Sequence, residues 1–326
     1  MVRYLFSCAL ALACAAPALA QDEAEERPAD ADPLTATIHV EDVERFAALF
    51  EATDGAPDAA QLQRDYIDPG SFGVRVFTPY RIRSGENLAA AIAEDPAAYR
   101  QALDRCLPLV REANADLRSI YLGLRGALPE ARLPQVYIVM GAGNSGGTAA
   151  PGAQVLGLEV LCTIAPTDEA STARLRQFFR HETVHSLQGD FDTERADNIL
   201  LRSVLAEGAA DFIATLVTGA DTNPDRSAWA APREAELRDR LAADLALIDR
   251  ASSDPSLEKE ASAAVRRWVG NYGSPPEGWP YELGYWMGFR LWQAYYDASP
   301  DKHAALVAML KQDNPQEVLA ASGFVY

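Results

Sequence analysis

Residues 181–185 read His-Glu-Thr-Val-His, two imidazoles four positions apart with a carboxylate directly after the first. On an α-helix, positions four apart lie only about 40° apart around the axis. His181 and His185 therefore project from one face, one turn apart, where both can bind a single metal ion at about 2.0 to 2.1 Å. Glu182, about 100° round from His181, is poorly placed as a third ligand but well placed to act as a base on a water at the metal. A catalytic site of this kind wants three protein ligands and one open position, and His, His, Glu is one of the known sets. Glu207 follows His185 after 21 intervening residues, enough for a turn and a return on an antiparallel helix. Asp211 lies one turn further on the same face. It is a candidate to accept a hydrogen bond from the non-ligating ring nitrogen of His181 or His185, fixing the tautomer. Gly208, Ala209 and Ala210 keep that helix slim enough for close approach.

With these residues in place, the segment resembles the gluzincin branch of the zincin metallopeptidases, in which HExxH on one helix is completed by a Glu from a following helix, as in thermolysin. It most resembles bacterial predicted zinc-dependent proteases whose second helix reads EGxAD or EGxAE; here that helix carries Glu207-Gly-Ala-Ala-Asp211. The match covers roughly residues 136–218. The resemblance implies Zn2+, a zincin-like fold and hydrolysis of a peptide or protein substrate, with His181, His185 and Glu207 as ligands and Glu182 as catalytic base. The chain departs from thermolysin in having Ala206 where that family has Asn, and in lacking similarity outside the core, so substrate specificity does not carry over. The metzincin branch is excluded, because Gln188 and Phe191 stand where it needs Gly and His. Asp192, Glu194 and Asp197 are rival third ligands, but their loop has no orienting helix and no EF-hand glycine, and reads as a solvated acidic turn. Manganese or cobalt suits the same nitrogen and oxygen set.

Peptide hydrolysis also needs a donor where the carbonyl oxygen becomes an oxyanion. Tyr285 is the first candidate, Tyr281 the second and His303 the third. Two other readings stand beside the peptidase: a zincin-shaped binding or scaffold protein without turnover, and a metal-dependent hydrolase of a non-peptide amide or ester. The intact Glu182 speaks against the scaffold, which needs no base beside its first ligand.

The elements that must position these groups are mostly helices. Val43, Phe46, Leu49 and Phe50 share a helix face that Asp42 can cap, and Asp95-Pro96 opens a helix that Pro108 should kink. Thr37–Val40, Gln135–Met140 and Val155–Cys162 read as strands, the second offering an edge to an extended peptide. Between the last two, GAGNSGGTAAPG contains GxGxxG, yet no helix can open at its third glycine, so a flexible inter-strand loop is expected and not a nucleotide site. Helices are expected over 171–188, over 199–218 with Asn198 as cap and Gly219 as stop, after Pro232, over 256–269, over 281–296 and in two short pieces after residue 303. The fold class read from this pattern is α+β, predominantly helical, with a zincin-like core and a small β-sheet preceding the active-site helix.

Composition bounds the rest. The chain has 326 residues, 48% of them apolar, and a formal net charge of −18. A surface of that sign argues against nucleic acid or anionic lipid as partner. Residues 1–20 read as a signal peptide with Ala18-Leu19-Ala20 before the cleavage point, 21–34 as an acidic linker, and 35–326 as one catalytic domain with parts 35–133, 134–220 and 221–326. A periplasmic or secreted location is expected, lipoprotein anchoring through Cys14 being the lesser alternative, and no transmembrane span is expected in the mature chain. Cys106 and Cys162 then remain, either as a disulfide or as two buried thiols.

Overall fold

A computed structural model of the protein describes residues 27–188, 198–312 and 314–326. The signal-peptide reading of 1–20, Cys14, and the acidic turn with Asp192, Glu194 and Asp197 lie outside the described residues. The protein is predominantly helical with one small mixed sheet, as expected. The strands are β1 (Ile38–His39), β2 (Gln135–Val139), β3 (Gly147–Ala150) and β4 (Ala153–Gly157), in the order β1-β2-β4-β3. β2 runs parallel to both β1 and β4, and β3 pairs antiparallel with β4.

Three sequence expectations need correction here. β2 is interior and offers no edge; Val136, Ile138 and Val139 are fully buried, which is what a strand with neighbours on both sides requires. The edge is instead β3, formed by Gly-Thr-Ala-Ala inside the segment read as a loop, and the turn back to β4 uses Gly152 at φ 77°. The run 155–162 does not continue as a strand. It becomes a helix at Leu158–Thr163, because Glu159 turns its carboxylate inward to accept the backbone N–H groups of Gly141 (3.0 Å) and Gly143 (3.2 Å). An apolar run that is buried on all sides has no periodicity to separate strand from helix.

Smaller differences follow the same logic. Helix α1 (Glu41–Ala52) buries Val43, Phe46 and Phe50 as expected, but Asp42 is inside the helix and does not cap it. Its buried carboxylate accepts from the N–H and hydroxyl of Ser71 and pairs with Arg45. Pro108 is accommodated without a break: a π-helical turn over Ala102–Cys106 widens the helix immediately before it, relieving the missing N–H and the ring clash. Packing starts before Thr35, with Ala31 buried and its N–H donated to the carbonyl of Leu133.

The chain forms two compact units that interleave in sequence. Among the described residues one unit holds 27–188 and 213–220, and the other holds 198–212 and 221–326. The first contains the sheet and helix α2 (Asp168–Leu187). Helix α3 (Ile199–Thr218) is one uninterrupted rod: its last turns belong to the first unit and its earlier turns to the second. The three consecutive parts expected from sequence do not coincide with these units, because α3 passes from one core into the other. The second unit also holds helices α4 (Glu234–Ala251) and α5 (Leu283–Ala298). The stripe Leu237, Leu241, Leu245 and Ile248 is buried as the spacing predicts. No helix among the described residues is long and apolar enough to cross a membrane.

Candidate metal centre

α2 carries the HExxH residues, and its position is set by the sheet. Thr167 caps it, its hydroxyl accepting the Ala170 N–H. Gln154, fully buried on β4, donates to the Phe178 carbonyl (2.8 Å) and accepts from the Thr183 hydroxyl (3.3 Å), so the helix on both sides of His181 is tied to one strand residue. At its start, Arg105 gathers the Ser171 hydroxyl and the carbonyls of Cys162 and Ala165. Cys106 and Cys162 are bonded to each other beside this cluster, which decides the question their sequence left open.

α3 is fixed at both ends. Asn198 caps it through the Leu201 N–H, and Gly219 at φ 68° ends it, both as expected. The neighbour of His181 in sequence, Arg180, donates to the Thr218 hydroxyl (3.1 Å) and the Ala220 carbonyl (3.0 Å), clasping the helix end from α2. Further up, Gly208 does not face the histidine helix. It meets Gly288 of α5 so closely that an added methyl on either would strike backbone. Gly284-x-x-x-Gly288 was the sequence signal for this crossing.

These two helices bring ligand atoms of His181, His185 and Glu207 within 4.8 Å of one another. The two Nε2 atoms lie 3.0 Å apart, and Glu207 is only 8% exposed. The group can hold a metal ion, and its chemistry fits one. The His185 Nδ1 sits 2.7 Å from the side-chain oxygen of Gln188, which can only accept, so the proton belongs on Nδ1 and the lone pair on Nε2. Gln188 was noticed in the sequence only as the residue that excludes a metzincin. A polar residue three positions after the second histidine, on the same face, is the signal that was there to be used.

Asp211, the candidate acceptor for a histidine ring nitrogen, is buried and ion-paired with Arg226. Arg226 also donates to the Glu282 carbonyl (3.1 Å), and its guanidinium lies over the ring of Tyr285 at 5.1 Å. Tyr285 is thus linked through Arg226 to the residue one turn after Glu207. Tyr281 instead accepts from Asn223 at 3.4 Å and packs edge-on against Tyr272, and His303 is exposed on the helix Lys302–Lys311.

The Glu182 carboxylate makes no hydrogen bond or ion pair with any described residue, and it lies within electrostatic range of Arg81. Partial burial lowers the Arg81 pKa below its usual value, against the opposing pull of the Glu182 carboxylate. The start of the Gly-rich segment, expected as a flexible loop, is held by hydrogen bonds to buried side chains. The buried Tyr66 hydroxyl donates to the Met140 carbonyl and accepts the Met140 N–H, both at 2.8 Å. Tyr99 donates to the Gly141 carbonyl (2.9 Å), and Glu159 accepts the next N–H groups. Burial raises the Glu159 pKa to about 7, with the two glycine N–H groups working in the other direction. No family model matches the chain, and neither a curated protein nor a solved structure resembles it at a significant level.

Proposed function

We infer that the protein is an exported zinc-dependent metallopeptidase. The observation that carries this reading is the convergence of two imidazoles and a buried carboxylate from two helices, with an unengaged carboxylate, Glu182, directly after the first imidazole. His181, His185 and Glu207 would hold the ion. A zinc ion there would lower the pKa of a water toward about 7 and polarise a substrate carbonyl. Glu182 takes the proton of the attacking water and later delivers it to the departing amine. Tyr285, with a guanidinium under its ring, donates a hydrogen bond from its phenol to the developing oxyanion and keeps its proton. The outer edge of β3 supplies main-chain groups for an extended peptide, and Phe178 of α2 packs against Gly146 and Gly147 at the start of that strand.

Metal analysis of the purified protein, combined with a broad peptide-library assay of wild type and Glu182→Gln, tests the reading. About one zinc per chain in both proteins, with turnover in wild type alone, is the expected result. Zinc without turnover in either would support the binding or scaffold reading. Turnover confined to small esters would support a non-peptide hydrolase.

A further inference from the structure

Arg81 belongs to a π-helical turn, Thr78–Ile82, that widens the end of the helix Phe72–Phe77. π turns are costly, and often mark functional positions. The next residue, Arg83, stands at φ 68°, a conformation that disfavours any side chain, so the chain here is held in an unfavourable shape by its surroundings. The Arg81 backbone is fixed from the Gly-rich segment, where Asn144 donates to its carbonyl at 3.0 Å. Its guanidinium is half-buried and lies 6.0 Å from the centre of the Phe77 ring, which itself packs against Gly141 and Gly157. Backbone and stem are thus positioned by the same clamp that holds residues 140–143.

The head group of Arg81 is the part that bears on the site. Arg45, Arg105, Arg226 and Arg267 all engage carboxylates or carbonyls, as expected in a chain with net charge −18. The Arg81 guanidinium makes no hydrogen bond or ion pair with a described residue, although acidic side chains are abundant and Glu182 is within electrostatic range. A partly desolvated cation without a hydrogen-bond partner is unfavourable unless a ligand supplies one. The planar guanidinium fork matches a carboxylate in two parallel hydrogen bonds.

We propose that Arg81 binds a carboxylate of the substrate beside the Glu182 base, making the protein selective for peptides that carry an acidic side chain or a free C-terminus next to the scissile bond. The proposal rests on the peptidase reading for its choice of a peptide. It also gives a function to the local positive charge: elsewhere the acidic surface repels such substrates.

The test uses the full chain with fluorescent peptides in which Glu and Gln are exchanged at each position in turn, and in which the C-terminus is a free acid or a carboxamide. Wild type should favour the acid at one position by about tenfold or more in kcat/KM. Arg81→Ala should bring that acid-to-neutral ratio close to one, and Arg81→Lys should restore part of it. The ratio is internal to each protein, so a loss of folded material cancels. A preference for Glu over Gln identifies a side-chain carboxylate, and a preference for acid over carboxamide identifies the terminus. An absent acid preference in wild type, or one unchanged in Arg81→Ala, overturns the proposal. Fluorescence anisotropy of the same peptides on chelator-treated protein separates the two readings. If no peptide is cleaved, acid-selective binding that disappears in Arg81→Ala upholds the role of Arg81 and rejects the peptidase; binding without that dependence rejects the role of Arg81.

Discussion

Two glutamates, Glu182 and Glu207, have different parts in the proposed site, and their surroundings differ accordingly. Glu207 is buried against a helix crossing that admits no side chain, whereas Glu182 is left free of hydrogen bonds on the histidine helix. Replacing Glu207 or His181 by Ala should therefore abolish stoichiometric zinc, while Glu182→Gln should retain it and lose activity by about 100-fold or more. Elemental analysis beside kinetics checks both halves. Gln188 orients the His185 ring, and Gln188→Ala should weaken zinc binding by about 10- to 100-fold in a chelator competition. Glu159 gives a pH prediction. Its folded-state pKa of about 7 exceeds the ordinary 4.5, so the folded protein keeps a proton that the unfolded chain releases. The associated stability is fully present below about pH 4.5 and is lost as pH rises through about 7, amounting to about 3 kcal/mol. Glu159→Gln should flatten that dependence in urea unfolding followed between pH 4.5 and 8; an unchanged slope would show that Glu159 does not titrate in this window.

At the scale of elements, the centre depends on how closely α3 and α5 cross. A methyl on Gly288 would lie 1.8 Å from the Val204 carbonyl oxygen, and one on Gly208 would lie 2.1 Å from the backbone of Gly288. Neither contact can relax by rotating a side chain. Gly288→Ala should destabilise the protein by about 3 kcal/mol, as overpacking does, and should lower zinc affinity because Glu207 adjoins the crossing. Both changes are measurable by denaturant titration and metal competition, and Gly126→Ala, where added volume meets open space, is the control. Helix α3 itself was readable from Asn198 and Gly219, and its span matches the expectation residue for residue. Its partner was not: a run of small residues announces close approach without saying to which helix. Strand β3 was missed because Gly-Thr-Ala-Ala has little β-propensity of its own and forms through pairing with β4.

At the scale of the whole molecule, the disulfide closes a loop across 56 positions and joins the segment before α2 to the helix that Pro108 enters. Loop-closure entropy of that length is worth about 4 kcal/mol. A Cys106→Ser, Cys162→Ser protein should show a lower urea midpoint by a corresponding amount, as should the native protein after reduction. The sequence by itself determined which helix presents two imidazoles, which carboxylate follows the first of them, and which caps bound the helices. These are local matters, governed by 3.6-residue periodicity and by side chains reaching their own backbone. Tertiary structure alone decided that Gln188 faces His185, that Asp211 pairs with Arg226, that β2 is interior and that the Arg81 guanidinium has no hydrogen-bond partner among the described residues. Each of those depends on side chains distant along the chain competing for the same buried space, and helical periodicity carries no record of that competition.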